Sequence, residues 1–251
     1  MHWLLLRGLA REKRHWGDFP ETLRRVLRGD TVHVLDLPGA GTECERVVPA
    51  TVHGIAEDVR ARWLALRDAN PGPWGLFGVS LGGMVALAWC AAHDDDFARV
   101  VVANSSAGDL AKPWQRMSLG VFAGVLRSIR ENDPVSRERR VLSMTTQLYQ
   151  GFDAIASEWA GYAQEYPMRR ANVVRQLLAS SRFRSPARVR TPMLVIAGGA
   201  DRLADPACSR AIAAKYGAPI EIHPAAGHDI GNDAPEWTAD RMREWIEATA
   251  P

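Results

Sequence analysis

Acyl transfer through a protein's own side chain needs a nucleophile, a base to take its proton and a carboxylate to fix that base. This chain carries candidates for all three. The first lies in Trp74-Gly75-Leu76-Phe77-Gly78-Val79-Ser80-Leu81-Gly82-Gly83-Met84, an apolar run that leads into Gly78-x-Ser80-x-Gly82 and out through the Ala-rich run Val85 to Ala92. The pattern predicts a strand, a sharp turn and a helix, with the Ser80 hydroxyl projecting from the apex. Glycines two residues to either side let neighbouring backbone pass without a Cβ clash. The helix after the turn aims free N–H groups at whatever the serine holds. A glycine-rich connection with an idle serine would share this spacing, so the elements around it must decide. A nucleotide-binding reading fails at once, because Gly82-Gly83-Met84 lacks the Lys-Ser/Thr of a phosphate-binding loop.

Those elements alternate. His2–Leu6 and Thr31–Leu35 read as strands, the second ended by the turn signal Asp36-Leu37-Pro38-Gly39. A helix is expected from about Asp18 to Leu27, and another from Thr51 on the spacing Val52, Ile55, Val59, Trp63, Leu66. The strand that ends at Ser80 comes next, then an all-apolar helix, then the strand Val100–Ala103. Such alternation implies a parallel sheet with helices on both faces. It resumes with the strand Pro192–Ala197, a helix opened by the cap Asp205-Pro206 and closed at Gly217, the strand Ile220–His223 and a final helix. Asp233 with Glu236 reads as a capping-box pair for that last helix. In a parallel sheet the loops holding Ser80, Asp201 (in Gly199-Ala200-Asp201) and His228 (in Gly227-His228) all leave by the carboxyl edge. Asp205 is committed to a helix cap, and Asp229 is too close to His228 to turn back onto its ring.

Residues 107–186 break the alternation with four helical periods and no strand, as expected of a cap inserted into a core made of residues 1–106 and 187–251. The insertion holds 12 Lys+Arg against 7 Asp+Glu, while the whole chain of 251 residues has a net charge of only +2. That balance, with no basic run interleaved with aromatics, excludes a nucleic-acid partner. The N-terminal apolar run is too short for a signal peptide, and no stretch is long enough to span a membrane, so no membrane partner and a cytoplasmic setting are expected. Cys44, Cys90 and Cys208 have neither disulfide nor zinc spacing. His93 beside Asp94, Asp95 and Asp96 is read as a solvated loop; no metal and no cofactor is expected.

Taken together, Leu35-Asp36-Leu37-Pro38-Gly39, Gly78-Val79-Ser80-Leu81-Gly82-Gly83, Gly199-Ala200-Asp201-Arg202 and Gly227-His228 resemble the α/β-hydrolase fold superfamily, in the order Ser, Asp, His, over nearly the whole chain. The resemblance implies an α/β fold with a mostly parallel sheet of about six strands. It implies Ser80 as nucleophile, His228 as base, Asp201 as orienting acid, and an oxyanion hole from the N–H groups of Leu9 and Leu81. Some superfamily members place the acid after the earlier strand, which makes Asp109 the alternative. Two departures stand out. The usual leading hairpin is missing, which leaves Thr31–Leu35 as an edge strand, and Arg7-Gly8-Leu9 replaces the common His-Gly-x. Arg7 either pairs with a loop carboxylate such as Glu12 or faces the pocket and binds an acidic group of the substrate. Trp16, Leu110, Trp114, Phe122 and Trp159 are candidate pocket walls.

The implied activity is that of a carboxylesterase acting on a small-molecule ester of a small or medium acyl group, similar to the esterases that act on carrier-bound pimeloyl methyl ester. An acidic carrier protein would then dock on the cap arginines Arg116, Arg127, Arg130, Arg139 and Arg140. The alternatives are a C–C bond hydrolase, lyase or thioesterase on an acidic or carrier-bound substrate, and a non-catalytic binding protein on the same fold.

Overall fold

The computed structural model describes residues 1–149 and 151–249. Six strands, β1 (His2–Leu6), β2 (Thr31–Leu35), β3 (Trp74–Val79), β4 (Arg99–Ala103), β5 (Met193–Gly198) and β6 (Ile220–His223), form one sheet in the order β2-β1-β3-β4-β5-β6. Every pairing is parallel. Strand side chains alternate between faces, and both faces are buried. Leu4, Leu6, Leu76, Val100, Val102 and Val195 point into one core, which is completed by α2 (Val52–Ala69), α3 (Leu81–Ala92) and α9 (Pro206–Tyr216). Trp3, Leu5, Phe77, Val101, Leu194 and Ile196 point into the other, covered by α1 (Phe19–Val26) and α11 (Pro235–Ala248). Double burial is why these strands read as continuous apolar runs rather than as alternating ones.

The strand order turns at β1. The chain leaves it for β2 on one side and returns to β3 on the other, so β1 runs on to α1 over one face of the sheet and β3 to α3 over the other. In open parallel sheets that switch point is where ligands bind, outside the carboxyl ends of the strands. Gly8-Leu9 follows β1 and Ser80 follows β3, one on each side of it. Register places Leu6 opposite Gly78 and Val79 opposite Ala103.

Between β4 and β5 lie α4 (Pro113–Arg116), α5 (Leu119–Arg130), α6 (Pro134–Thr145), α7 (Phe152–Glu165) and α8 (Arg170–Arg182). Sequence periodicity predicts four helices here; α4 is a fifth of a single turn, too short to show a period. The segment has a small core of its own, in which Leu142, Ala156 and Trp159 are buried against Val135, Phe152 and Ile155. It is fastened to the sheet domain by polar contacts: Arg11 to Glu138, the Ala10 N–H to Gln176, and the Gln176 amide to the Pro38 carbonyl.

Asp233 differs from expectation. The cap residue of α11 is Ala234, with Pro235 in the first turn, so no capping box forms. Asp233 instead closes the four-residue helix α10 (Ile230–Asp233) and turns its carboxylate towards the insertion. There it accepts the N–H groups of Gln147, Leu148 and Tyr149, and it also accepts that of Gly227 in the loop after β6. Among the described residues no helix is long and apolar enough to cross a membrane.

Candidate active site

Ser80 is the cap residue of α3 and has φ 57° and ψ −116°, a backbone geometry that a side chain rarely adopts. The glycines around it are compulsory. A Cβ on Gly78 would run into the Gly82 carbonyl, and one on Gly82 into the Leu6 carbonyl. The strained residue is held from both sides: its N–H donates to the Ala103 carbonyl at 2.9 Å, and its own carbonyl accepts from Ser105 Oγ at 2.8 Å. Strain kept by surrounding structure is a mark of functional positions.

Asp201 and His228 come from the loops after β5 and β6, neighbouring strands, so their approach follows from the topology. His228 Nδ1 lies 2.7 Å from Asp201 Oδ2, and their side chains are 8% and 1% exposed. The other carboxylate oxygen of Asp201 accepts the N–H groups of Leu203 and Ala204 at 2.8 and 2.9 Å, which fixes the carboxylate plane. Burial works against the imidazolium of His228, but the charge and hydrogen bond of Asp201 outweigh it, so the histidine pKa is raised. With Nδ1 on Asp201, Nε2 is the ring nitrogen left for a proton. No hydrogen bond joins Ser80 to His228 among the described residues; catalytic contacts of this kind are often long until substrate binds. Both residues line one cavity.

Gly8, Leu9 and Leu81 line the same cavity. Leu81 is the first residue of α3, so its N–H has no intrahelical acceptor. Gly8 packs against Ser80, where a Cβ would sit 3.2 Å from the serine Cβ. Glycine at this position is what lets the loop carrying Leu9 come this close.

Arg7 is 3% exposed and sends Nη1 and Nη2 to the two carboxylate oxygens of Asp229 at 2.8 and 2.7 Å. The expected partner Glu12 is engaged elsewhere, by Arg14. Burial alone would raise the Asp229 pKa; the Arg7 charge and its hydrogen bonds more than reverse that, and the pKa is lowered. The pair joins the loop after β1 to the residue that follows His228, and the Asp229 N–H donates to Thr145 of α6.

Asp109, the alternative acid, makes no hydrogen bond or ion pair with His228 among the described residues. It accepts from Ser185 N and Oγ and sits 3.5 Å from Lys215 Nζ. Burial opposes its charge, the Ser185 hydrogen bonds outweigh that, and its pKa falls to about 2. Asp205 caps α9 by accepting the Ala207 N–H. His93 pairs with Glu57, and among the described residues no cluster of three His, Cys, Asp or Glu could hold a metal ion.

The cavity has a volume of about 920 Å³ and lies between the carboxyl edge of the sheet and helices α4–α8. Of the expected walls, Arg7, Trp114 and Phe122 line it. Trp16, Leu110 and Trp159 do not. Trp16 packs on Phe19 and Phe77 in the core under the sheet, Leu110 packs on the opposite core, and Trp159 fills the insertion's own core. Helical spacing gives a face, not the neighbour that face meets.

Sequence reading misses Asn104, which directly follows β4 with φ 45°. Its carboxamide donates to the carbonyls of Gly227 (3.2 Å) and His228 (2.6 Å) and accepts the Gly198 N–H at 2.8 Å. One buried side chain thus ties β4 and β5 to the His228 loop. The available signal was a polar residue closing the apolar run Val100–Ala103 at the carboxyl edge.

The model of a family described as the alpha/beta hydrolase family matches residues 3–241. The search of curated proteins found no match to the chain. Similar solved structures include a thermophilic esterase from Thermogutta terrifontis, 22% identical with a TM-score of 0.67, covering 99% of this chain and 90% of that one. A lipase-esterase related protein from Clostridium acetobutylicum is 16% identical with a TM-score of 0.72, covering 98% and 94%. A hydrolase from Pseudomonas aeruginosa is 21% identical with a TM-score of 0.74, covering 98% and 89%. At these identities the likeness is one of fold.

Proposed function

The chain belongs to the alpha/beta hydrolase family, and from that premise we propose that it is a serine esterase, cleaving carboxylic esters of small or medium acyl groups through an acyl-enzyme. The observation that carries the reading is the strained Ser80 at the carboxyl edge, sharing a cavity with a histidine whose other ring nitrogen is 2.7 Å from a buried carboxylate. In this reading Ser80 Oγ attacks the ester carbonyl while His228 Nε2 takes its proton. Asp201 holds the ring in the tautomer with Nδ1–H and stabilises the imidazolium. The Leu9 and Leu81 N–H groups receive the negative charge on the carbonyl oxygen, as preorganised donors that need no rearrangement. The imidazolium returns the proton to the leaving alkoxide. Water, deprotonated by His228, then attacks the acyl-enzyme; the acid leaves and Ser80 is regenerated.

The acidic-substrate alternative rested on Arg7 and on the basic cap, and the first of these grounds is weakened, since both terminal nitrogens of Arg7 are committed to Asp229. A panel of esters and thioesters, run on the wild type beside Ser80→Ala, tests the proposal. Ester turnover in the wild type that disappears in a folded Ser80→Ala supports it. Turnover retained in that variant, or a panel to which the folded wild type is inert, refutes it.

A further inference from the structure

The cavity that Ser80 opens into is far larger than a short acyl group needs. Its volume of about 920 Å³ is near the upper end for ligand pockets. From the catalytic end, walled by Leu9, Leu81 and Met84, it runs beneath the insertion, where Val125 and Ile129 of α5, Val141 and Met144 of α6, and Val173 and Leu177 of α8 line it. At the outer end four lining residues are also open to solvent: Trp114 at 63%, Leu119 at 84%, Phe122 at 45% and Leu178 at 44% exposed. These make an apolar mouth continuous with an apolar interior.

The charged side chains on the lining are directed elsewhere. Arg7 is spent on Asp229, and its Nε is sealed from solvent. Arg11 bonds Glu138 through Nη1, and its Nη2 is likewise sealed. Arg116 donates to Ser106 Oγ and to the Ser180 and Ser181 carbonyls at the C-terminal end of α8, where a cation offsets the helix dipole. Arg137 lies 3.6 Å from Glu138, and Arg170 bonds Asn132. Each of the five arginines has an internal partner, and the interior offers a ligand mostly hydrocarbon.

Resting on the esterase reading above, we propose that the acyl side of the substrate is a medium-length, uncharged hydrocarbon chain, which runs from Ser80 through the interior of the cavity towards the mouth formed by Trp114, Leu119, Phe122 and Leu178. Each methylene moved from water into such a lining gains about 0.8 kcal/mol, or about fourfold in kcat/KM when the gain is realised in the transition state.

The test is a series of p-nitrophenyl esters from acetate through butanoate and octanoate to dodecanoate, each below its aggregation concentration. Beside it runs the octanoate-length ester carrying a terminal carboxylate. In the wild type kcat/KM should climb by more than about tenfold from butanoate to octanoate, and the carboxylated ester should be the poorer substrate. Val125→Trp, which fills the interior, and Phe122→Asp, which charges the mouth, should each lower the octanoate-to-butanoate ratio. Circular dichroism and thermal unfolding identify which variants are folded. A flat or falling length profile, a carboxylated ester that is preferred, or a ratio unmoved in both folded variants overturns the proposal. None of these results touches the esterase reading, which fails separately if the activity survives Ser80→Ala.

Discussion

Replacing Asp229 by asparagine removes the negative half of an ion pair whose two side chains are 4% and 6% exposed. The Arg7 guanidinium would keep its charge, lose the carboxylate that takes two parallel N–H bonds at 2.8 and 2.7 Å, and still have no partner for its buried Nε. Breaking a buried pair from one side costs about 3–5 kcal/mol, because a charge is left desolvated and uncompensated. Only part of that is recoverable from the Trp16 ring, whose centroid lies 4.5 Å from the guanidinium carbon. Arg7→Met should cost a similar amount by stranding the carboxylate. The double variant removes both charges together, so its loss should be smaller than the sum of the two by about 2 kcal/mol or more. Urea unfolding of the four proteins measures this cycle.

Acid titration gives a second readout of the same pair. The Asp229 pKa is lowered in the folded protein from an ordinary value of 3.8. Its contribution to stability is therefore fully present above that value and is lost as pH falls through the folded pKa. The stability advantage of the wild type over Asp229→Asn should be constant near neutrality and shrink below about pH 4. Single variants within about 0.5 kcal/mol of wild type, or a cycle that is additive, would refute the assignment of the pair as a buried brace between the Leu9 loop and the His228 loop.

Other expected outcomes follow from the same geometry. The His228 pKa is raised above its ordinary 6.5, and the base acts only when neutral, so kcat/KM for an ester should rise with pH with a midpoint above 6.5; a midpoint at or below it counts against the Asp201–His228 contact in solution. The same shift means that the stability contribution of His228 is complete below pH 6.5 and lost as pH rises through the folded value. Asp201→Asn should lower kcat by about 10³–10⁴-fold through the wrong histidine tautomer, whereas Asp109→Asn, which loosens Ser185 and Lys215 and not the His228 ring, should leave kcat within about threefold of wild type; steady-state kinetics on both variants decides between the two acids. Asn104→Ala strands the Gly198 N–H and the Gly227 and His228 carbonyls, and should cost about 2–4 kcal/mol in urea unfolding together with a fall in kcat; a silent substitution would remove Asn104 from the support of the site.

Much of this arrangement is legible in the amino-acid order because the sheet is parallel. Once six apolar runs alternate with helical segments, every loop that follows a strand must leave by one edge. Ser80, Asp201 and His228 are then neighbours whatever their separation along the chain. The positive φ of Ser80 is readable too, since only glycine at 78 and 82 permits the close backbone crossing that the turn requires. What resists reading is any choice among partners that topology makes equally near. Arg7 has Glu12 five residues away, yet it bonds Asp229, 222 positions along the chain, and nothing local distinguishes the two carboxylates. Asp233 has the spacing of a capping box, but Pro235 and the short α10 place it against the backbone of residues 147–149 instead. Trp16 and Trp159 show the same limit: size and apolarity, and for Trp159 a helical period, mark them as inward, and only packing says that inward means Phe77 or Leu142 rather than a ligand.

In the proposed mechanism Ser80 is a nucleophile activated by His228. Incubation with a small fluorophosphonate, followed by intact-protein and peptide mass spectrometry, tests it most directly because it needs no knowledge of the substrate. One adduct per chain is expected, located on Ser80, absent in Ser80→Ala and formed far more slowly in His228→Ala while both variants remain folded. A folded wild-type protein that stays unlabelled, or an adduct located on another residue, would contradict it.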